Sequence, residues 1–222
     1  MEALDILPRR ILREVLPREK ELCEIHLRSG SVPALLLPDG STYFLSCAPP
    51  TPDELWRMAE SAAGGTLCSC GSQLRHGFLS LPGGARLGVC GTVNLERGEV
   101  RSYSEITSLC LRLPRQAIGC AEQLKSLFQD AFVSTLLISP PGGGKTTLLR
   151  EMVRLLSCSG MRIGLADERG EVAGVWQGVP QLDVGGHTDV LTGGRTRIFL
   201  KDSDTNTSPA SINFFMPSEI RR

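Results

Sequence analysis

Phe132-Val-Ser-Thr-Leu-Leu-Ile-Ser139 runs into Pro140-Pro-Gly-Gly-Gly144, and Lys145-Thr-Thr147 follows at once. The first stretch is a nearly continuous apolar run, the composition of a strand buried on both faces of a parallel sheet. Beyond the glycines, Leu148, Leu149, Met152, Val153, Leu155 and Leu156 recur at helical spacing. Ser157-Cys-Ser-Gly160 stops that helix, and Met161-Arg-Ile-Gly-Leu-Ala166 returns as a strand. Strand, loop, helix and strand make a βαβ unit with parallel strands and a right-handed crossover.

The residue types in the bend fit a phosphate. Glycines accept positive φ, so successive backbone N–H groups can converge on an anion where a helix begins. The P-loop pattern of Gly, four residues, Gly-Lys and Ser or Thr closes at Gly144-Lys145-Thr146, with Ser139 standing at its first glycine. On this reading Ser139, Pro140, Pro141, Gly142, Gly143, Gly144, Lys145, Thr146 and Thr147 cradle the phosphates of ATP. Lys145 reaches the β- and γ-phosphates, and the Thr146 hydroxyl ligates Mg2+. A glycine-rich turn without a ligand is the alternative.

Asp167-Glu-Arg-Gly-Glu171 lies at the C-terminal end of the strand from Met161 to Ala166, where ligands collect in parallel sheets. Glu168 is expected to orient an attacking water, Asp167 to assist magnesium, and Arg169 to touch phosphate or a neighbouring subunit. The catalytic candidates are therefore Lys145 and Glu168. A solvated loop with an internal ion pair is the competing account.

Residues 1–130 read as a smaller α+β domain. Glu24-Ile-His-Leu-Arg28 alternates as a half-buried strand does, and Val32 to Leu37 reads as a second strand turned by Pro38-Asp-Gly40. Thr51-Pro-Asp-Glu54 opens a helix, with Thr51 as cap and Pro52 in the first turn. His76 to Leu81 and Ala85 to Gly91 flank a glycine turn as a hairpin, Leu109 to Pro114 is a further strand, and Gly119 to Phe128 a helix. Residues 131–191 carry the partial nucleotide domain. From Thr192 the periodicity dissolves, and 192–222 is expected to be a poorly ordered tail.

Lysine plus arginine (24) equals aspartate plus glutamate (24), and with two tryptophans and two tyrosines no basic-aromatic platform for single-stranded nucleic acid emerges. The N-terminus lacks the apolar region of a signal peptide, so a cytoplasmic chain is expected. The eight cysteines include no C-x-x-C pair and read as reduced thiols rather than a metal framework. His26, His76 and His187 are too far apart in sequence to mark a site, and Arg86 and Arg112 read as a solvated strand face.

The order of these motifs resembles the stage III sporulation protein AA family. The resemblance rests on Glu24-Ile-His-Leu-Arg28, Gly77 to Gly91, Ser108 to Leu113, Gly119-Cys-Ala121, Ser139 to Arg150, Asp167 to Gly174, Gly178-Val-Pro-Gln181 and Asp183 to Leu191. It implies an ATPase akin to the hexameric motors of type II and type IV secretion, hence a RecA-like P-loop core in a homo-oligomer. It also implies membrane channel proteins of the stage III complex as partners, on the mother-cell side, and a catalytic carboxylate at Glu168. After Leu191 the family pattern continues to a second nucleotide motif ending in Asp-Glu. Here Arg197-Ile-Phe-Leu-Lys-Asp202 is its nearest counterpart, with Ser203 in the glutamate's place. The expectation is an incomplete core from a frame shifted near residue 192, in which binding without turnover is the second reading.

Overall fold

Glu24-Ile-His-Leu-Arg28 forms β1, and its alternation decides which way the N-terminal sheet faces: Ile25 and Leu27 are fully buried, while Glu24 and His26 point to the other side. The computed structural model describes residues 2–67, 77–96, 98–128, 135–140 and 142–192, with the backbone of 211–215. The chain divides into two units, Met1–Pro114 and Arg115–Arg222. That division falls earlier in the chain than the boundary near 130 expected from sequence, because Arg115 to Phe128 packs with the second unit.

The first unit contains α1 (Arg9–Val15), β1, β2 (Ser31–Leu36), β3 (Thr42–Phe44), α2 (Pro52–Ala63), β4 (Phe78–Ser80), β5 (Arg86–Glu96) and β6 (Glu99–Arg112). The strands lie in the order β3-β2-β1-β6-β5-β4, every neighbouring pair antiparallel. The strand read over Leu109–Pro114 is the end of the much longer β6. Leu55, Met58, Ala59 and Ala62 form the buried stripe of α2, which packs on β4, β5 and β6 over Leu79, Leu87, Leu109 and Leu111. His76, Cys68 and Cys70 lie outside the described residues.

The second unit holds α3 (Lys145–Cys158), β7 (Arg162–Asp167), β8 (Thr188–Thr192) and β9 (Ser211–Phe215). Its sheet is parallel, in the order β8-β7-β9. Leu149, Met152, Val153, Leu155 and Leu156 of α3 pack with Ile163 and Leu165 of β7. The helix–strand half of the expected βαβ unit is therefore present. Of its expected first strand, 132–134 lie outside the described residues, and Thr135 to Pro140 takes no strand pairing. Leu136 and Ile138 are 72% and 82% exposed. Two further expectations differ. The helix read over 119–128 is a 3-10 helix, Glu122–Phe128, and within the tail Ser211–Phe215 is a strand. Among the described residues no helix is long and apolar enough to cross a membrane.

α2 is fixed at its start by charge as well as by apolar packing. Thr51 Oγ1 accepts from Glu54 N–H at 3.3 Å, and Glu54 Oε2 accepts from Thr51 N–H at 3.0 Å, a reciprocal capping box. Both Glu54 oxygens also accept from the Arg10 guanidinium, Oε2 at 2.6 Å. Hydrogen bonds from Arg10 first, then those from Thr51, lower the Glu54 pKa from 4.5 to about 2. A carboxylate depressed in the folded state adds stability above its unfolded pKa, and that contribution disappears as pH falls toward the folded value. Glu54→Gln, which retains a capping-box acceptor, is expected to lower Tm by about 2–5 °C at pH 7. In thermal melts from pH 7 to pH 2, the gap between the two proteins closes between about pH 4.5 and pH 2.

Candidate nucleotide-binding site

The glycine bend is built from left-handed backbone. Gly142 has φ 76° and Gly144 φ 80°, the region in which a side chain is strained. Gly143 is constrained differently: a Cβ there would lie 2.6 Å from Ser139 Oγ and 3.1 Å from the Pro140 carbonyl oxygen. Gly143 N–H donates to the Pro140 carbonyl at 3.1 Å and closes the bend. Ser139, standing where the pattern has glycine, is thus accommodated against a residue with no side chain.

Gly144 is the N-cap of α3 and offers no side chain to the first turn. The helical ladder begins with Leu148 N–H on the Gly144 carbonyl at 2.9 Å, so the amides of Lys145, Thr146 and Thr147 precede its first rung. The Lys145 ammonium donates to the Ser139 carbonyl at 2.7 Å, the Pro140 carbonyl at 2.9 Å and Ser139 Oγ at 3.2 Å. The structure therefore brings together Ser139, Pro140, Gly142, Gly143, Gly144, Lys145, Thr146 and Thr147. Pro141 lies outside the described residues. Left-handed glycines, a helix start and one ammonium are a donor set that fits a phosphate chain.

The loop after β7 is organised around two buried charges. Asp167 is 2% exposed. Its Oδ1 accepts from Glu171 N–H at 2.8 Å, and its Oδ2 accepts from Val172 N–H and Ala173 N–H, each at 2.9 Å. Arg150, on α3 and 4% exposed, donates to the carbonyls of the same loop, Val172 at 2.5 Å and Glu171 at 3.0 Å, and to Arg115 at 2.9 Å. Burial lowers the Arg150 pKa, and the Asp167 carboxylate opposes the shift. Asp167, read from sequence as assisting magnesium, has its oxygens engaged by three backbone donors inside the fold. Glu168 and Arg169 stand exposed on the loop that Asp167 and Arg150 hold.

Further along α3, Glu151 is 2% exposed and accepts from Gly119 N–H at 2.7 Å and twice from the Arg154 guanidinium at 2.7 Å. Its pKa is lowered, first by Arg154. Ser157 Oγ accepts from His187 N–H at 2.8 Å, and a Cβ on Gly185 would lie 2.4 Å from that hydroxyl. Sequence reading missed Arg150, Glu151 and Ser157. Their signal was available: polar residues set among the apolar positions of a helix that packs on a sheet.

The solved structures bear on the fold. The chain superimposes on the crystal structure of the pilus retraction motor PilT with bound ADP at a TM-score of 0.50 and 19% identity, covering 86% of this chain and 51% of that one. The Legionella pneumophila ATPase DotB matches at a TM-score of 0.48 and 12% identity, covering 86% of this chain and 51% of that one. The fold is an incomplete P-loop NTPase core of the RecA and secretion-ATPase type, preceded by a smaller α+β domain. Residues 2–196 match the family described as sporulation stage III, protein AA. Over 177 residues the chain is 34% identical to Stage III sporulation protein AA of Bacillus subtilis (strain 168), covering 77% of this chain and 57% of that protein. The chain belongs to the sporulation stage III, protein AA family, and it spans little more than half the length of this relative.

Asp167→Asn keeps the size of the side chain but removes charge and turns an amide N–H2 toward backbone donors. Leaving buried amides without an acceptor is expected to cost about 1–3 kcal/mol, read as a lower urea midpoint at unchanged slope.

Proposed function

We propose that this chain is an ATP-binding, ATP-hydrolysing subunit of a motor serving a secretion-like channel between mother cell and forespore. The observation that carries the reading is the start of α3 on a bend with two left-handed glycines, with Lys145 at its first position. The family membership supplies the sporulation setting, and the likeness to the pilus retraction motor PilT supplies the motor analogy. In this reading the bend and the first-turn amides bind the phosphates of ATP. Lys145 balances their charge, and Glu168 orients the attacking water. Mg2+, when bound, neutralises charge on the terminal phosphates. Thr146 would hold it, and Asp167 is the less suited of the two because backbone amides engage its oxygens. Subunits assemble as a homo-oligomer of hexameric type on the cytoplasmic, mother-cell face of the membrane, held there by channel proteins of the stage III complex.

A second reading, binding without turnover, is favoured by the engagement of Asp167 with Glu171, Val172 and Ala173. With that carboxylate turned inward, the described residues offer Thr146 alone as the metal-holding side chain among those read from sequence. Titrating ATP with Mg2+ and following steady-state phosphate release separates the two. Lys145→Ala is expected to weaken ATP affinity at least about tenfold, and Glu168→Gln to retain affinity while losing about 100-fold or more of turnover. Tight binding with the parent no faster than Glu168→Gln would leave the second reading standing and remove the hydrolytic one. Unchanged affinity in Lys145→Ala would remove both.

A further inference from the structure

Glu24 and His26 alternate with the buried Ile25 and Leu27, so both project from the face of the N-terminal sheet opposite α2. Register places Cys110 of β6 directly opposite His26. Three unlike donors thereby converge: Glu24 Oε2, His26 Nε2 and Cys110 Sγ all lie within 4.8 Å of one another.

We propose that Glu24, His26 and Cys110 bind a zinc-class divalent cation. Glu24 Oε2 stands 3.1 Å from His26 Nε2 and 3.6 Å from Cys110 Sγ. A tetrahedron with zinc-to-ligand bonds of ordinary length has oxygen–nitrogen edges of about 3.4 Å and oxygen–sulfur edges of about 3.6 Å. Two of the three edges are thus close to those of a coordination polyhedron, and the third, His26 Nε2 to Cys110 Sγ, lies within 4.8 Å. The other oxygen, Glu24 Oε1, accepts from Arg112 Nε at 2.7 Å, which fixes the carboxylate plane and leaves Oε2 facing the imidazole and the thiol. Outer-shell contacts of this kind orient ligands in metal sites.

Two further features suit the site to an ion. Gly88 lies opposite Cys110 on β5. A Cβ there would make only ordinary contacts, at 3.6 and 3.7 Å to Cys110, so packing does not demand a glycine, and its bareness leaves an approach to the sulfur. His26 is 27% and Glu24 14% exposed at the side chain, partly shielded yet reachable from solvent. One nitrogen, one sulfur and one oxygen donor favour Zn2+ or Co2+ over Mg2+ or Ca2+, with water in the fourth position.

The test uses the full chain, reduced and stripped of metal. Zn2+ titrated by calorimetry is expected to bind at one equivalent, and Co2+ to give a thiolate charge-transfer band. Cys110→Ser should abolish the band and weaken Zn2+ at least about tenfold, and His26→Gln should weaken it similarly. Cys158→Ser, an exposed cysteine on α3, should change neither. Circular dichroism establishes that each variant is folded, and His26→Gln decides the matter if Cys110→Ser is not. No Zn2+ uptake by the parent, or parent-like uptake and an unaltered band in the folded variants, would overturn the proposal.

Discussion

Between Asp167 and Ala173 the backbone is gripped on both of its polar sides. A carboxylate takes its N–H groups, and a guanidinium from α3 takes its carbonyls. A short loop at the end of a parallel strand has no ladder to satisfy those groups, and burying them unpaired would cost more than the fold can tolerate. Two ionised side chains solve this because each presents several donor or acceptor positions in a fixed geometry. Charged hydrogen bonds are also stronger than neutral ones. The same contacts replace water around Arg150 and Asp167 inside the fold, where either charge left without hydrogen-bond partners would be destabilising. Loop shape and the position of α3 are consequently one constraint, and the exposed Glu168 inherits its placement from a helix that starts at the glycine bend.

Much of this was legible because local patterns carry it. The apolar spacing of Leu149, Met152, Val153 and Leu156 defines α3 without reference to anything distant, and Thr51-Pro-Asp-Glu54 marks the start of α2 through its cap. Alternation in Glu24–Arg28 gives both the strand and its inward face. What was not legible depends on partners. The apolar run ending at Ile138 has strand composition, but a strand exists only where an edge receives it, and Thr135 to Pro140 pairs with none. The pattern in Asp167-Glu-Arg-Gly-Glu171 announces a charged loop yet does not say which acid faces inward. Asp167, continuing the strand, falls inside and organises backbone, whereas Glu168 falls outside.

The sheet of the first unit illustrates the same limit from the other direction. Alternation reliably divides its residues into a core face, Ile25, Leu27, Leu87, Leu109 and Leu111, and an opposite face. It says nothing about which outer residues meet. Glu24 and Cys110 are separated by 86 positions and become neighbours only through the β1–β6 register. A shift of one residue would send Cys110 to the α2 side and bring a leucine outward. Sequence spacing among histidines and cysteines is therefore a poor guide to donor clusters on antiparallel sheets, where sites are assembled across strands.

α3 shows how one helix can carry several such constraints at once. Its first turn belongs to the glycine bend, Arg150 to the loop after β7, Glu151 to Gly119 and Arg154, and Ser157 to His187 with Gly185 pressed against it. Leucines at these positions would add apolar burial but would accept many rotations of the helix with similar energy. Buried polar groups permit few, because each must find its particular backbone partner or remain unsatisfied. No buried side-chain nitrogen or oxygen among the described residues lacks a partner, so the rotation observed satisfies all of them together. The helix is therefore fixed about its axis by polar contacts and held against β7 by apolar ones, and its end at the glycine bend is aimed by residues outside that bend.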